Sequence, residues 1–210
     1  MTIELHSWNT PNGRKISVAL EEMNLPYTVR VVDITKNQQF DPAFLEFSPN
    51  NRIPAIRDQN GPDGAPITVF ESGAILLYLA EKTGRFLPKS LRDRVPVLEW
   101  LMWQMGGFGP MPGQVHHFLM QPESPARDYG VNRYLTETKR LYGVLDRRLA
   151  GRDFVATARE PSIADFAILG WAWRHERHLV SFEGLPNVGA WYERMMARPA
   201  TKRGFEVALS

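Results

Sequence analysis

Residues 3–23 read IELHSWNTPNGRKISVALEEM and contain the first two structural elements that the chain predicts. Residues 3–8 alternate as the two faces of a short strand do. The TPNG sequence at residues 10–13 breaks that strand, and apolar side chains then recur at helical spacing from Arg14 to Met23. Residues 28–34 are rich in β-branched side chains and indicate a second strand. A strand, a crossover helix and another strand predict a parallel pair with a right-handed connection.

The chain up to Gly84 continues in the same α/β pattern. Residues 41–47 predict a short helix, and residues 55–58 and 67–70 predict a hairpin around a loop dense in Gly, Pro, Asp and Asn. Residues 72–83 are apolar almost all round and predict a buried helix that ends at Gly84.

Beyond a linker at residues 86–90, strand signals almost vanish. Helices are predicted at residues 97–105, 131–149, 163–173 and 188–195. Pro96 is compatible with the first of these helices only if it lies in the first turn. We therefore expect two domains, an α/β domain at residues 1–87 and an all-helical domain at residues 88–210.

Composition excludes several classes of function. The 210 residues include 25 Lys and Arg against 23 Asp and Glu, so the net charge is only +2. This balance gives no reason to expect a nucleic-acid or membrane partner. No targeting segment is visible, and no apolar run approaches the length of a spanning helix, so a cytoplasmic location is expected.

Cysteine is absent from the whole chain. Disulfides, thiolate metal sites and a thiol nucleophile belonging to the protein are therefore excluded. The pair His116-His117 does not indicate a metal site, because adjacent side chains on one helix point about 100° apart. No metal is expected, and a loop pair lining the cleft is the favoured interpretation of these two histidines.

Three short segments of the first domain are candidates for chemistry. Thr10-Pro11-Asn12-Gly13 opens a helix, whose N-terminus attracts anions, although plain helix capping explains the same residues. Arg52-Ile53-Pro54-Ala55 precedes a strand, and its X–Pro bond is either cis, facing a ligand, or an ordinary trans bond. If it faces a ligand, Ile53 can pair with a peptide as an added strand.

The third segment is Glu71-Ser72, at the start of the buried helix. Ser72 can cap that helix, whose amides also suit a carboxylate, and Glu71 can accept a hydrogen bond from an ammonium group. A capped helix with an exposed glutamate is the alternative. Taken together, the three segments suit a small zwitterionic peptide with several carboxylates.

These residues resemble the soluble glutathione transferase family over the whole chain. Ile53-Pro54 resembles its cis-proline, Glu71-Ser72 its glutamyl-binding motif, and Ser162-Ile163-Ala164-Asp165 its N-capping box in the helical domain. The capping box is also expected on physical grounds. Ser at the N-cap and Asp three residues later each accept a hydrogen bond from a backbone amide at the start of the helix. The resemblance implies a thioredoxin-like N-terminal domain, a C-terminal helical bundle, glutathione as co-substrate and a homodimer.

The resemblance is closest to the bacterial Nu class of glutathione-dependent disulfide-bond oxidoreductases. It is carried by residues 10–13, 39–40, 48–56, 70–84, 103–104, 106–107 and 109–111. It implies that Thr10 and Asn12 stabilise the glutathione thiolate. It also implies that the tripeptide is bound by Gln39, Arg52, Ile53, Glu71 and Ser72, with Gln104 and Arg133 as weaker candidates. For Arg133, a solvated helix face is an equally good interpretation.

Because the chain has no cysteine, both thiols of the expected mechanism come from glutathione. A glutathione thiolate attacks a substrate disulfide, and a second glutathione resolves the mixed disulfide. We also expect weak peroxidase or transferase activity. Two other functions stay open from the sequence: conjugation of glutathione to electrophiles, and a non-catalytic, regulatory glutathione-binding protein.

Overall fold

The structure is a computed structural model that describes residues 3–209. The chain forms two compact units. One contains the residues up to Leu87 together with those from Met196 onward, and the other is Pro88–Met195. The second unit thus begins at Pro88, and the residues after Met195 belong to the first unit.

The first unit contains a four-stranded mixed sheet. Its strands are β1 (Ile3–Ser7), β2 (Tyr27–Val31), β3 (Ala55–Asp58) and β4 (Ile67–Phe70), in the order β2-β1-β3-β4. β1 and β2 are parallel, as the crossover predicts, and the other two pairings are antiparallel. All four strands match predicted ones, although β2 ends before Ile34.

Helices lie against this sheet and at the end of the chain. They are α1 (Pro11–Glu22), α2 (Pro42–Leu45), α3 (Ser72–Thr83) and α9 (Pro199–Glu206). Short 3₁₀ turns occupy Ile34–Lys36, Gln38–Phe40 and Pro62–Gly64. Fully buried apolar residues of α1, α3 and the sheet form the core, among them Leu5, Ile16, Leu20, Ile56 and Leu79. This arrangement is the thioredoxin-like domain that the resemblance implies.

The second unit is helical. It contains α4 (Leu91–Trp103), α5 (Pro110–Leu119), α6 (Pro125–Leu149), α7 (Ile163–Ala172) and most of α8 (Pro186–Ala197). A π turn at Gln104–Phe108 joins α4 to α5, and a 3₁₀ turn lies at Glu176–His178. All ten residues of α7 are buried, so this helix is the centre of the unit. No helix within residues 3–209 is long and apolar enough to cross a membrane.

The structure corrects two expectations about the helices and adds two helices, α5 and α9, that the sequence did not predict. α4 begins at Leu91, so Pro96 lies inside it and not in its first turn. The sequence places the start too late because residues 91–94 are mostly polar and lack apolar periodicity. The histidines of His116-His117 lie on α5 and not in a loop, and α9 was not predicted at all.

The predicted capping box at the start of α7 is confirmed. The amide and hydroxyl of Ser162 both donate to Asp165 Oδ2 at 2.9 Å. Asp165 Oδ1 also accepts from the Val155 amide and from Trp191 Nε1, each at 2.9 Å. Asp165 is fully buried, and burial raises its pKa against the opposing effect of these hydrogen bonds. One carboxylate thus ties the start of α7 to a loop and to α8.

We expect Asp165→Ala to lower the free energy of unfolding by about 3 kcal/mol or more, because it leaves three buried N–H donors without an acceptor. Urea denaturation at neutral pH measures the change. Asp153→Ala is the matched control. The Asp153 side chain is 60% exposed and pairs with Arg194, so its loss should cost less than about 1 kcal/mol. Equal losses in the two variants would contradict the role given to Asp165.

Candidate active site

One end of the sheet collects the segments that the sequence singles out. Ser7 at the end of β1 pairs with Val31 at the end of β2, and His6 pairs with Ala55 at the start of β3. Ala55 in turn pairs with Phe70, the last residue of β4. The chain therefore enters or leaves all four strands at the same end. Thr10, Ile53 and Glu71 lie within three residues of these strand ends, and the turn that carries Gln39 lies further along the chain after β2.

Thr10 is the N-cap of α1, and its Oγ1 accepts a hydrogen bond from the Gly13 amide at 3.2 Å. Because that oxygen accepts from the helix, the hydroxyl proton points elsewhere and is available to an acceptor outside the helix. Asn12, like Thr10, is only partly buried. Both polar side chains thus lie at the helix end that favours an anion.

Glycine at position 13 allows α1 to begin close to the end of β1. A Cβ atom at Gly13 would lie 2.3 Å from the Trp8 carbonyl oxygen and 2.5 Å from Ser7 Oγ. Only glycine fits this approach of α1 to the end of β1. Ser7 itself is fully buried, so it is a packed strand residue and not a group open to a ligand.

The Ile53–Pro54 peptide bond is cis, as the resemblance implies. Pro54 is buried, and Ile53 packs on a cluster formed by Val32, Phe44 and Ala55. The preceding turn is held by Ser48, whose Oγ donates to the Arg52 carbonyl oxygen at 2.8 Å. The Arg52 side chain is exposed.

Glu71 and Ser72 open α3 in an unusual geometry. Glu71 has φ 68° and ψ 116°, in the left-handed half of φ that non-glycine residues rarely adopt. Such backbone positions cost free energy and concentrate at functional sites. The Glu71 side chain is exposed, and Asn50 Nδ2 donates to its Oε1 at 3.5 Å.

Lys15 is a site residue that the sequence did not reveal. Its side chain is 1% exposed, and Nζ donates to Ser72 Oγ at 3.2 Å. Burial lowers the pKa of Lys15 to about 7, against the opposing effect of the nearby Glu71 carboxylate. Within α1, Lys15 reads as a solvated charge among apolar residues, and only the packing of α1 against α3 shows that it lies under Ser72. A lysine among apolar residues at helical spacing is the signal available, but it does not distinguish a buried amine from a solvated one.

Gln38 and Gln39 lie together in the turn Gln38–Phe40 but differ in their bonding. Gln38 Oε1 accepts from the Asp33 amide at 2.8 Å. Gln39 Oε1 is buried and has no hydrogen-bond partner among the described residues. A buried acceptor left open in this way suits a donor from a bound molecule.

Gln104 and Arg133 belong to the helical unit. Gln104 lies in the π turn and is fully buried, so contact with a ligand requires that turn to open. Arg133 is an exposed residue of α6. Their contact with a tripeptide stays a prediction.

His116 takes part in a buried polar chain and not in a histidine pair with His117. His116 Nε2 lies 3.1 Å from His178 Nδ1, and the Tyr142 hydroxyl lies 2.8 Å from His178 Nε2. Burial lowers the pKa of His116 to about 4 and that of His178 to about 3. Within residues 3–209, no cluster of three or more His, Asp or Glu side chains is arranged to hold a metal ion.

Comparison with known proteins agrees with this geometry. The family model for the N-terminal domain of glutathione S-transferases matches residues 10–82, and the model for the C-terminal domain matches residues 110–199. A relative, disulfide-bond oxidoreductase YfcG of Escherichia coli (strain K12), is 48% identical over 202 residues, which cover 95% of this chain and 92% of that protein.

Two solved structures are also similar. A glutathione transferase family member from Pseudomonas fluorescens pf-5, with two glutathione molecules bound, has a TM-score of 0.93 at 42% identity and covers 98% of this chain and 92% of its own. A glutathione transferase from Pseudomonas putida, with one glutathione disulfide per subunit, has a TM-score of 0.90 at 44% identity. The match covers 99% of this chain and 92% of that one.

The two matched domains, the identity to these relatives and the similarity to the two structures thus extend along nearly the whole chain. The chain belongs to the glutathione S-transferase family.

Proposed function

We propose that this protein is a glutathione-dependent disulfide-bond oxidoreductase whose two reacting thiols both come from glutathione. The observation that carries the proposal is Thr10, which caps α1 through its oxygen and keeps its hydroxyl proton for a sulfur at the helix N-terminus. The related YfcG is named a disulfide-bond oxidoreductase, and the related Pseudomonas putida structure holds glutathione disulfide. Both support a site that accepts two joined glutathione molecules.

The tripeptide is proposed to lie across the end of the sheet. Glu71 and Ser72 bind the γ-glutamyl end, where the amides of α3 meet its carboxylate. Ile53 pairs with the peptide backbone as an added strand. Gln39 offers its open Oε1, and Arg52 offers an exposed guanidinium to the glycine end.

Lys15 supplies positive charge beneath Ser72 when a carboxylate arrives. In the free protein its burial favours the neutral amine, with a pKa of about 7. A bound carboxylate favours the ammonium form, so binding and protonation of Lys15 support each other. From the helical unit, Gln104 and Arg133 remain weaker candidates for contact with the tripeptide.

The energetic demand on Thr10 and Asn12 is modest. A thiol with an ordinary pKa of about 8.5 needs stabilisation of about 2–3.5 kcal/mol to be mostly ionised at pH 7. The helix dipole contributes about 0.3–1 kcal/mol. Hydrogen bonds to a charged group contribute about 1.5–3 kcal/mol. The hydroxyl of Thr10, the amide of Asn12 and the N-terminus of α1 therefore suffice.

The reaction balances without a protein thiol. A bound glutathione thiolate attacks one sulfur of the substrate disulfide, forms a mixed disulfide and releases a substrate thiolate. The second glutathione thiolate attacks the glutathione sulfur of the mixed disulfide and releases the other substrate thiolate. The two substrate thiolates take up the two protons lost by glutathione. One disulfide is reduced, and two glutathione molecules are oxidised to glutathione disulfide.

The proposal includes a cytoplasmic homodimer. The apolar side chains of Leu91, Val95 and Met102 are 73%, 42% and 52% exposed. Their spacing of four and seven residues places them on one face of α4. An exposed apolar face of this kind supports self-association of the chain.

The activities of the wild-type protein discriminate among the functions that the sequence leaves open. Efficient glutathione-dependent reduction of a model disulfide, with weak conjugation or peroxidase turnover, supports the oxidoreductase. Conjugation that clearly exceeds disulfide reduction would instead favour a transferase. Glutathione binding without either activity would favour a regulatory protein.

Variants of Thr10 test the thiolate assignment. Thr10→Val removes the hydroxyl and should lower kcat for disulfide reduction about 10- to 100-fold, as expected for a lost hydrogen bond to a charged group. Thr10→Asp keeps an N-cap acceptor for the Gly13 amide but replaces the donor by a negative charge. It should fold as stably as the wild type and be less active than Thr10→Val.

Thr10→Ser is the matched control, because it keeps both the cap and the donor and should retain most of the activity. Asn12→Ala should lower kcat by a similar factor to Thr10→Val. Full activity in Thr10→Asp or in the Thr10→Val, Asn12→Ala double variant would show that the thiolate is stabilised elsewhere.

Glutathione binding is tested by thermal unfolding. Millimolar glutathione or glutathione disulfide should raise Tm, because a ligand of the native state stabilises it. Gln39→Ala should reduce that rise while leaving the Tm of the free protein unchanged, since the lost oxygen is unbonded there. Gln38→Ala, which loses the bond to the Asp33 amide, should show the opposite pattern. The absence of any Tm rise in the wild type would remove the premise of all three functions.

Because of Lys15, ligand binding should be coupled to the uptake of protons. Near pH 8, Lys15 in the protein without ligand is mostly neutral, since burial holds its pKa at about 7, and an anionic ligand raises that pKa. Binding of S-methylglutathione, which has no thiol proton, should therefore take up protons, and Lys15→Met should abolish the uptake. Calorimetry in buffers of different ionisation enthalpy measures it. Equal uptake in wild type and variant would exclude Lys15 as the group that responds to the ligand.

A further inference from the structure

Arg14 lies one residue before Lys15 in α1 but faces a different part of the molecule. Its side chain is only 5% exposed. Nε and Nη2 donate to Asn9 Oδ1 at 3.1 and 2.9 Å. Nη1 donates to the carbonyl oxygens of Gly204 at 3.2 Å and Val207 at 2.8 Å. One guanidinium therefore joins the residue before Thr10 to the end of α9.

The geometry of this contact is specific to arginine. Two nitrogens of the planar group meet a single side-chain oxygen, while the third meets two backbone oxygens at the helix end. A lysine carries the same charge on a flexible stem and cannot hold these directions together. Asn9 Oδ1 is thus held by Nε and Nη2 along one edge of the guanidinium, while Nη1 binds the end of α9, and Thr10 follows Asn9 directly in the chain.

Docking of α9 on α1 does not depend on Arg14 alone. Ser17 Oγ donates to the Gly204 carbonyl oxygen at 2.7 Å. A Cβ atom at Gly204 would lie 2.6 Å from Val18 Cα, so the two helices are in close contact there. At the other end of α1, Arg198 donates to both carboxylate oxygens of Glu22 at 2.7 and 2.6 Å.

An exposed ion pair adds to this docking, with Arg203 Nε 2.7 Å from Glu21 Oε2. The contacts of Ser17, Glu22 and Glu21 attach α9 without touching the segment before Thr10. Arg14 alone among these residues reaches both α9 and Asn9. Its bonds to Asn9 therefore serve the Thr10 turn and not the attachment of the helix.

We propose that Arg14 is a positioning residue for the thiolate site, which holds the Asn9-Thr10 turn against the carbonyl groups of Gly204 and Val207. The inference rests on the proposed function, because Thr10 acts there as the donor to the glutathione sulfur. The end of α9 then forms part of the support of the active site, although it contacts no reacting atom. The residues proposed to bind the tripeptide lie on other segments. Arg14 therefore affects the ionisation of the glutathione sulfur and not the affinity for the tripeptide.

The test compares Arg14→Met, Arg14→Lys and Asn9→Ala in disulfide reduction over a range of pH. We expect each to lower kcat at neutral pH about tenfold or more, a loss typical of a small displacement of a reacting group. KM for glutathione should change by less than about threefold in the same variants, as expected for an interaction made mainly in the transition state. The acidic limb of the pH–rate profile should move to higher pH, because a misplaced Thr10 hydroxyl stabilises the thiolate less.

Ser17→Ala and Arg203→Ala are the matched controls. Each removes a contact between α1 and α9, at the Gly204 carbonyl or at Glu21, and leaves Asn9 bonded to Arg14. Both should lower Tm somewhat without moving the pH–rate profile. If they move it as far as Arg14→Met does, the effect comes from docking of α9 and the inference is wrong.

Asn9→Ala keeps the test decisive if Arg14→Met does not fold, because it removes only the acceptor. An unchanged pH–rate profile in Asn9→Ala would overturn the inference while leaving the proposed function standing. Additive effects of Arg14→Lys and Asn9→Ala would also overturn it, since residues that act through one contact are not additive. A wild-type protein without glutathione-dependent disulfide reduction would overturn the proposed function, and this inference with it.

Discussion

Helix α1 is buried from Gly13 to Leu20, and this burial attaches the candidate site to the rest of the first unit. Ile16 and Leu20 are fully enclosed in the core, Lys15 reaches Ser72 on α3, and Gly204 of α9 lies against Val18. Because the helix cannot shift without disturbing these contacts, its N-terminus and the Thr10 turn keep a fixed place at the end of the sheet. A preorganised donor needs no rearrangement when charge forms on a sulfur, which is the main source of electrostatic stabilisation in enzymes.

In the proposed function, the absence of cysteine moves the redox chemistry from the protein to its ligand. The protein then has two tasks, which are to hold sulfur atoms side by side and to favour their ionised form. The first task depends on groups proposed to bind the tripeptide, several of which cost stability in the free protein. Glu71 has a φ of 68°, Lys15 is enclosed at 1% exposure, and Gln39 Oε1 is left without a partner among the described residues. Active sites commonly retain such costs because a bound molecule removes them.

In the helical unit, by contrast, the polar side chains of two clusters bind one another. Asp165 accepts hydrogen bonds from Ser162, Val155 and Trp191, and Tyr142, His178 and His116 form a buried chain. In these clusters the donors and acceptors meet one another, and burial keeps the two histidines neutral. Networks that are satisfied in this way specify one packing arrangement of a core. The contrast is with Gln39 Oε1, which has no partner among the described residues and is proposed to bind a ligand.

The sequence by itself determined the elements whose signals are local. Apolar periodicity located the strands and α3, the Ser162–Asp165 spacing located the cap of α7, and the resemblance identified Pro54 as cis. Tertiary structure alone decided which polar residues lie together. Lys15 and Ser72 are 57 positions apart, and Arg14 meets Gly204 across 190 positions. It also decided that α9 forms and that Pro96 is held inside α4. The physical reason is that periodicity and capping act within a few turns of chain, whereas burial and side-chain pairing depend on the path of the whole backbone.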